Sequence, residues 1–539
     1  MDLLGSQPQV GITMQDVIKN TFITQEKSIA LIVIAFLLGA FLSFAFAPYR
    51  CFPLGFLAPA CFMLLIQSMS PKKAGFLGFF FGCGLFSVGI YWINISLHHV
   101  VELPLPLSLF FTLLLIAILS LYPAITCYLT NRYFSENKTT QMLFAFPAIW
   151  VFSEWLRTFI GAILPGTGFP WLLIGYTQLY SPLKGFAPIL SVYGVSFATL
   201  IVSGLSVNAY RNHLSSFKLY LHLLTIIIIF IVGAALSMIP WTHATGKPIS
   251  VALVQGNIPQ SLKWSPDYLD STLKRYMDLS QPYWGKTNLI VWPEAAIPST
   301  LQEVSPFINA LDEKAQQTHT DLILGIPVQN PKGEGFYNAI VTLGQKKTIY
   351  LQRHLVPFGQ YIPFERYLSQ LLRFLPIPLP NMEPYLNHQK LLEVTRLKID
   401  PIICYEVIFP QLVHVSDANT SLLLTTANDG WFGQSTALSQ HLEMAQFRAL
   451  ELGRPLLFVT NNGITALISP QGNIQSTLPV DIHAVLTGNI QPVSGLTPWM
   501  RFGIDPILAI LIFALLGARS WRWQFLLKKV LSVQHETTV

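Results

Sequence analysis

Eight apolar segments constrain this chain more than any other feature of its sequence. They are Ser28–Ala47, Phe52–Met69, Ala74–Ile95, Leu107–Leu129, Met142–Trp155, Phe186–Ala209, Tyr220–Ile239 and Ile504–Leu516. A helix needs roughly 20 apolar residues to cross a bilayer, and most of these segments approach that length. Charged residues make up only 11% of the chain, which excludes an ordinary soluble globular protein. We therefore predict a membrane protein with eight helical spans, of which the fifth and the eighth are the shortest.

Polarity divides the chain into four predicted regions. Residues 1–27 lack the basic start and the small-residue cleavage site of a signal peptide, so we predict a cytoplasmic N-terminal tail there. Residues 28–241 form a transmembrane domain with seven spans. Residues 242–497 are mixed in polarity and long enough to build their own core. Residues 498–539 hold the last span and a cytoplasmic tail.

Lysines and arginines predict the orientation of these spans. With the N-terminus in the cytoplasm, the short outside segments hold only Arg50, Arg157, Lys184 and Arg501, whereas the inside segments hold twelve basic residues: Lys19, Lys27, Lys72, Lys73, Arg132, Lys138, Arg211, Lys218, Arg519, Arg522, Lys528 and Lys529. This asymmetry follows the positive-inside rule and puts residues 242–497 outside the cytoplasm. The net charge of +6 lies mostly in the cytoplasmic anchors, so it does not indicate a nucleic-acid partner.

The polar region alternates between short apolar runs and helix-like stretches. The runs have the length and β-branched content of buried strands: Ser250–Val254, Leu289–Trp292, Leu322–Ile326, Ile402–Cys404, Leu422–Thr425, Leu456–Val459 and Ile464–Ile468. The helix-like stretches are Tyr268–Leu279, Phe307–Gln317 and Ser439–Leu452. This alternation predicts an α/β domain and argues against an all-β sandwich.

Two residues at predicted strand ends are candidates for chemistry. Cys404 is the only cysteine of the polar region, so it has no partner there for a disulfide. Glu294 follows an apolar run, and burial raises a carboxyl pKa towards the range useful for a general base or acid. A thiol and a carboxylate placed in this way suggest nucleophilic catalysis. Each residue by itself is equally compatible with a structural role, Cys404 as a small buried hydrophobe and Glu294 as a helix cap or ion-pair acid.

Common motifs for other chemistries are missing from the sequence. It contains no CxxC, HExxH, GxxxxGK[ST] or GxSxG pattern, which argues against the corresponding zinc, phosphate-loop and serine-hydrolase sites. The twelve histidines are scattered. We therefore expect neither a metal nor a cofactor.

A series of longer motifs resembles the apolipoprotein N-acyltransferases, which are inner-membrane enzymes of Gram-negative bacteria with a nitrilase-like domain. The matching segments run in order through most of the chain. They are Glu154–Arg157, Thr167–Trp171, Leu253–Gln260 followed by Lys263-Trp264, Trp292–Glu294, His354–Gly359, Cys404–Glu406, Asn428–Gly433, Arg448–Pro455 and Thr460–Ala466. So many ordered matches within one membrane topology make the resemblance specific.

The resemblance implies a fold and a reaction. The fold would be an eight-span transmembrane helical domain with an inserted nitrilase-like αββα sandwich. A Glu-Lys-Cys triad would take an acyl chain from a phospholipid as a thioester. The acyl chain would then pass to the α-amino group of the N-terminal diacylglyceryl-cysteine of an apolipoprotein, giving the triacylated form. Glu294 and Cys404 match the acid and the nucleophile of that triad.

The lysine of the family triad is absent from its position. That position, two residues before the histidine of His354–Gly359, is Gln352, and a family glutamate directly after the same motif is Gln360. Glutamine can donate a hydrogen bond but supplies no positive charge to favour a thiolate or stabilise an oxyanion. Arg353 is a poor substitute on a strand, because adjacent side chains point to opposite faces.

The resemblance also implies four supporting or substrate-binding residues. Tyr405 and Glu406 would shape the site beside the nucleophile, Trp264 would lie near the lipid entrance, and Trp431 would form part of an apolar lid with Phe432. Their alternative roles are packing and ordinary ion pairing.

Three functions remain open at this point. The first is the acyltransfer described above, in a monomeric enzyme of the bacterial inner membrane whose catalytic domain is periplasmic. The second is a catalytically impaired paralogue that binds lipid or lipoprotein, suggested by Gln352. The third is a membrane-anchored nitrilase-type amidase. Two lipid-tailed substrates would explain the many spans, since a tether needs only one.

Overall fold

The structure is a computed structural model that describes most of the chain. It covers residues 14–163, 169–333, 335–361, 382–394, 397–413 and 417–519, with side chains described from residue 28 onward except at 161–163. Elements are numbered in chain order within these ranges.

The N-terminal half is helical and apolar. Its helices are α1 (Met14–Ser43), α2 (Leu54–Ile66), α3 (Pro71–Gly89), α4 (Trp92–Ile95), α5 (Leu105–Tyr133), α6 (Lys138–Thr140), α7 (Phe146–Ile163), α8 (Ala187–Arg211) and α9 (Ser216–Ser237). Many large apolar side chains on α5 and α9 are exposed, among them Phe110, Leu113, Ile227 and Ile231. Without lipid such surfaces would be unfavourable, so these helices suit a bilayer.

The number of spans differs from the prediction of eight. Four stretches in the described residues are long and apolar enough to cross a membrane, or five if the pair Pro71–Gly89 and Trp92–Val100, bent by 52°, is one span. The apolar helices Ser28–Ser43 and Leu54–Ile66 are shorter than that. Near the C-terminus the described helix α15 covers only residues 505–519. The structure therefore confirms a multi-span membrane domain but not the count of eight.

Helices α1 and α3 approach each other at two glycines. A Cβ on Gly84 would lie 1.9 Å from the carbonyl oxygen of Phe36, and one on Gly39 would lie 1.9 Å from the carbonyl oxygen of Phe81. Small residues at helix contacts allow backbones to approach closely inside a membrane. No rotation of a side chain can relieve a clash with a backbone oxygen.

The substitution Gly84→Ala is expected to lower stability, because the two helices must separate to accept the added methyl group. Overpacking of this kind destabilises by about 1–3 kcal/mol. Thermal unfolding of the purified protein in detergent measures the effect. Gly517→Ala is the matched control, since a Cβ there meets no atom within 4 Å in the described part of the chain. Equal melting temperatures for the two variants would contradict the close approach of α1 and α3.

Two six-stranded sheets form the polar region. The first has the order β13-β2-β3-β4-β5-β6 and the second the order β12-β11-β10-β9-β8-β7. Their strands are β2 (Ile249–Gln255), β3 (Leu289–Val291), β4 (Asp321–Gln329), β5 (Phe336–Leu343), β6 (Ile349–Leu351), β7 (Leu392–Val394), β8 (Leu397–Ile403), β9 (Thr420–Ala427), β10 (Leu456–Thr460), β11 (Ala466–Ile468), β12 (Ile474–Thr477) and β13 (Ala484–Ile490). A small pair, β1 (His243–Ala244) with β14 (Val493–Ser494), closes the region.

The sheets face each other across one core, and helices cover their outer faces. Val251, Leu253, Leu422 and Leu424 contribute to the core shared by both sheets. Short helix α10 (Gln260–Lys263) follows β2, and α11 (Leu269–Ser280) and α12 (Ser305–Thr318) pack on the outside of the first sheet. Helix α13 (Ala437–Leu452) covers the second sheet, and α14 (Pro498–Phe502) follows the region. This arrangement is the expected αββα sandwich.

All seven predicted strands and all three predicted helices have counterparts in the structure, with ends shifted by a few residues. Five strands of the two large sheets were not predicted from the sequence: β6, β7, β12 and β13, which lie at the sheet edges, and β5, which lies next to an edge. Edge strands are partly exposed, so their residues do not form the apolar run that identified the central strands.

Helix α13 joins the second sheet to the membrane helices. Its Gln440 side chain donates to the carbonyl oxygen of Gly89 (3.2 Å) and accepts from the Trp171 indole (2.6 Å). Farther along α13, Glu451 accepts hydrogen bonds from the Ser191 hydroxyl (2.6 Å) and the Val192 amide (2.8 Å). Hydrogen bonds between buried groups require specific geometry, so these contacts fix the position of the polar region relative to the helical domain.

Candidate active site

Cys404 lies at the carboxyl edge of the second sheet, directly after β8. Its φ angle is 48°, a left-handed conformation that costs a non-glycine residue about 1–3 kcal/mol. A single 3₁₀ turn, Cys404–Ile408, follows the strand. Strained residues of this kind are concentrated at functional sites. The sequence prediction that Cys404 ends a buried strand is confirmed.

Glu294 reaches the same place from the first sheet, three residues after β3. Its carboxylate accepts hydrogen bonds from the Asn338 side-chain amide (2.7 Å) and the Asn428 backbone amide (2.9 Å). The thiol of Cys404 is also within hydrogen-bonding reach of this carboxylate. Glu294 and Cys404 are 8% and 7% exposed, so the pair is buried between the two sheets.

The electrostatics of the pair suit proton transfer. Burial raises the pKa of Glu294 above its ordinary value, although Lys263 and the hydrogen bonds partly offset this effect. Burial and the negative charges of Glu294 and Asp429 raise the pKa of the Cys404 thiol. The thiol is therefore protonated at neutral pH, and it needs an adjacent base to become a nucleophile.

Gln352 and Gln360 form an uncharged hydrogen-bond network beside Glu294. The side-chain oxygen of Gln352 accepts from Asn338 and from Gln360, each at 2.8 Å, and its amide nitrogen donates to the carbonyl oxygen of His354 (2.9 Å). Gln360 in turn accepts from the Val356 backbone amide (2.8 Å). The two glutamines thus satisfy each other, which explains how both are accommodated in a buried site without a charge.

A cation reaches the site from a different element. Lys263, the last residue of α10, is 1% exposed, and its ammonium donates to the backbone carbonyl of Glu294 (3.1 Å). Burial lowers the pKa of Lys263 to about 8, while the charges of Glu294 and Cys404 oppose that shift. In the sequence, Lys263 lies within a matching segment, but no role was predicted for it. The sequence feature that could have identified it as a site residue is its position directly before Trp264.

A histidine and an aspartate lie on the other side of the nucleophile. His441, on α13, contacts the Asp429 carboxylate through Nδ1 (3.0 Å) and the carbonyl oxygen of Cys404 through Nε2 (3.2 Å). The thiol, the carboxylate and the imidazole have atoms within 4.8 Å of one another, a spacing that could hold a metal ion. However, both ring nitrogens are already engaged. Neither His441 nor Asp429 was predicted from the sequence to belong to the site.

Glu406 organises the backbone around the site. Its carboxylate accepts hydrogen bonds from the backbone amides of Ile403 (2.8 Å), Arg353 (2.7 Å) and His354 (3.2 Å) and from the Tyr350 hydroxyl (3.0 Å). These bonds tie the Cys404 turn to the segment that carries Gln352. The hydrogen bonds of Glu406 go to this backbone and to Tyr350, so its support of the site is indirect.

The three aromatic candidates differ in their surroundings. Tyr405 stacks on His354, with ring centroids 5.9 Å apart. Trp264 is 46% exposed, and its place at a lipid entrance stays a prediction. Trp431 is half-buried, and its carbonyl oxygen accepts from the Ser96 hydroxyl of the helical domain (2.6 Å).

Other basic residues of this segment have partners away from the Cys404–Glu294 pair. The Arg353 guanidinium donates to the Tyr350 hydroxyl (2.9 Å) and to the carbonyl oxygen of Leu412 (2.9 Å). Lys346 and Lys347 are 61% and 60% exposed and pair with Glu393 and Asp312, respectively. Arg353 follows β6 and does not lie on the strand, but its contacts with Tyr350 and Leu412 make it a poor substitute for the family lysine.

Two family models match the chain. The model described as the apolipoprotein N-acyltransferase N-terminal domain matches residues 38–205, and the carbon-nitrogen hydrolase model matches residues 250–497. These ranges cover the helical domain and the sandwich.

Relatives named apolipoprotein N-acyltransferase align along nearly the whole chain. The protein of Coxiella burnetii is 40% identical over 488 residues, which cover 90% of this chain and 99% of its own length. The Azotobacter vinelandii protein is 38% identical, with 91% and 96% covered. The Vibrio cholerae protein is 35% identical, with 90% and 95% covered.

Solved structures that resemble the chain are more distant. A CN-hydrolase superfamily protein of Xanthomonas campestris is 17% identical with a TM-score of 0.35, covering 49% of this chain and 97% of its own. A nitrilase superfamily member from Saccharomyces cerevisiae is 17% identical with a TM-score of 0.36, covering 46% and 93%.

Proposed function

Since this chain belongs to the apolipoprotein N-acyltransferase family, we propose that its site carries a fatty acyl chain from a phospholipid to the α-amino group of a diacylglyceryl-cysteine, through a thioester on Cys404. The observation that carries this proposal is the buried contact between the Cys404 thiol and the Glu294 carboxylate. A nucleophile and its base are placed within reach of each other at the edge of two packed sheets.

The first half of the proposed reaction forms the acyl-enzyme. Glu294 accepts the thiol proton as the sulfur attacks the ester carbonyl of the phospholipid. The tetrahedral intermediate collapses with cleavage of the carbon–oxygen bond. Glu294 then returns its proton to the departing oxygen of the lysophospholipid. Glu294 therefore acts first as a general base and then as a general acid.

The second half transfers the chain to the acceptor. The α-amino group of the apolipoprotein attacks the thioester carbonyl, a carbon–nitrogen bond forms and the carbon–sulfur bond breaks. Glu294 takes the proton that the amine loses and delivers it to the sulfur, which restores the thiol. Water must be kept from the thioester during this exchange, and the burial of both residues supports that requirement.

The location of the site suits substrates with lipid tails. We place the protein in the bacterial inner membrane as a monomer, with residues 242–497 on the periplasmic side. Helix α13 contacts the sheet of Cys404 on one face and the helical domain on the other. The exposed Trp264 offers an apolar contact for an incoming chain.

Purified protein in detergent micelles that contain a phospholipid is expected to gain the mass of one acyl group. The adduct should map to the peptide of Cys404, and hydroxylamine should remove it as it does other thioesters. Adding a diacylglyceryl-cysteine peptide with a free amine should discharge the adduct and acylate the peptide. Intact-mass spectrometry measures both steps.

An impaired paralogue would give a different result in the same assay. If the wild type never forms the adduct whereas Gln352→Lys does, the protein is a binding form that has lost its activity. If neither protein is acylated, the proposed acyltransfer is wrong.

A further inference from the structure

The intermediates proposed above add a negative charge to a site that already holds acidic groups. Glu294 and Asp429 lie near the sulfur, and their charges raise the pKa of the Cys404 thiol. In a dry site an uncompensated anion is strongly disfavoured. A nearby positive charge or a set of oriented N–H donors must therefore stabilise the oxyanion.

Position 352 does not provide that charge. The Gln352 side chain is neutral, and its oxygen and nitrogen bond to Asn338, Gln360 and the carbonyl of His354. Turning the amide towards the thiol would leave these buried partners unsatisfied, which costs about 1–3 kcal/mol for each group. The network therefore holds the glutamine in a supporting position.

Lys263 is placed where the charge is needed. Its ammonium is close enough to interact with the Glu294 carboxylate and with Cys404 when that sulfur becomes a thiolate. An ammonium has three N–H donors, and among the described residues its only hydrogen-bond acceptor is the carbonyl oxygen of Glu294. Two N–H groups thus remain for an oxygen of the substrate. The aliphatic part of the side chain is buried with the nitrogen, so water does not weaken the interaction.

We propose that Lys263 is the oxyanion-stabilising cation of this site and takes over the role for which residue 352 has no charge. The inference rests on the proposed acyltransfer through Cys404. In each half of that reaction the carbonyl oxygen of the acyl group becomes negative as the tetrahedral intermediate forms. Lys263 donates a hydrogen bond to this oxygen and keeps its own protons throughout, so the transfers between sulfur, Glu294 and substrate are unchanged.

The substitution Lys263→Met tests this role, because it keeps an unbranched side chain of similar length but removes the charge. Loss of one oxyanion donor lowers the rate by about 10²–10³-fold, so single-turnover acylation of Cys404 should slow by that factor. Lys274→Met is the control: Lys274 is an exposed residue of α11, and its variant should acylate at the wild-type rate. Thermal unfolding of each variant is measured in parallel.

Two further variants separate a charge effect from a defect in folding. Adding Gln352→Lys to Lys263→Met should restore at least a tenth of the wild-type rate, because it returns a cation to the site. Lys263→Arg should also retain much of the rate, since guanidinium keeps the charge and the donors. A purely structural role of Lys263 predicts no rescue by a cation at position 352.

The pH profile gives an independent readout. The pKa of Lys263 is about 8, so the ammonium and the acylation rate should decline as the pH rises through that value. The two groups that face it would act in the opposite direction: Glu294 and the Cys404 thiol, whose pKa values are both raised by burial, lose protons as the pH rises and would then increase the rate. In Lys263→Arg the decline should move to a much higher pH, because guanidinium stays protonated.

Alkylation of Cys404 by iodoacetamide, mapped by peptide mass, keeps the two proposals distinguishable. Removing the cation should slow alkylation, since a nearby ammonium favours the thiolate. A wild type that is alkylated at Cys404 but never acylated would refute the acyltransfer. Acylation and alkylation of Lys263→Met at wild-type rates would instead refute the role of Lys263 alone.

Discussion

Cys404→Ala is expected to abolish acylation and to cause the largest loss of activity of any single substitution in this chain. The variant has no nucleophile, so the two-step route through a thioester is closed. In a comparable case, removing the nucleophile of a hydrolase lowers kcat by about 10⁶-fold. Transfer of a labelled acyl chain from phospholipid to a diacylglyceryl-cysteine peptide measures the effect.

The removal of a single sulfur should leave the fold nearly intact. The backbone at position 404 is left-handed, with φ of 48°, and alanine has a Cβ as cysteine does. The substitution therefore leaves the backbone strain unchanged, and the melting temperature should change little. Cys61→Ala is the matched control, because Cys61 is an exposed cysteine of α2. An acyl adduct on the Cys404→Ala protein, or full activity of that protein, would assign the nucleophile to another residue.

Glu294→Gln is expected to cause the second-largest loss. The amide has nearly the same size as the carboxylate but cannot accept the thiol proton. General acid–base catalysis contributes about 10²–10⁴-fold, and both half-reactions should slow by a factor in that range. Single-turnover measurements of acylation and of discharge to the peptide amine resolve the two steps.

The pH dependence of the same reactions identifies the base. Burial raises the pKa of Glu294, so its carboxylate should be lost as the pH falls through a value above the ordinary 4.5 of a glutamate. The wild-type rate should fall with it, and this acid limb should be absent from Glu294→Gln. Glu313→Gln, at an exposed position of α12, should keep the wild-type profile. An unchanged acid limb in Glu294→Gln would assign the base elsewhere.

Local patterns in the sequence were sufficient to identify the central elements of the sandwich. Strand β3 and the end of β8 at Ile402–Ile403 are buried, so they form short apolar runs that are visible without any tertiary information. The positions of Glu294 and Cys404 at the ends of such runs could be predicted for the same reason. The apolar segments of the helical domain were equally visible, although the number of full spans was not.

The surroundings of the two residues could not be predicted in this way. Asn338 is a polar residue in the middle of β5, and His441 is one histidine among the buried residues of α13. Each is in contact with the site only because two sheets and a covering helix pack together. The residues around a position in the sequence indicate whether it is buried, but they do not indicate which other buried groups it contacts.

The sequence alone determined that this chain is a membrane protein with an α/β domain and a thiol and a carboxylate at strand ends, because hydrophobic periodicity is a local property. The tertiary structure decided that these two groups meet, that Gln352 is held in a neutral network, and that Lys263 supplies a buried cation. Such contacts join residues far apart in the chain. Their distances are set by the packing of whole sheets, which no local pattern encodes.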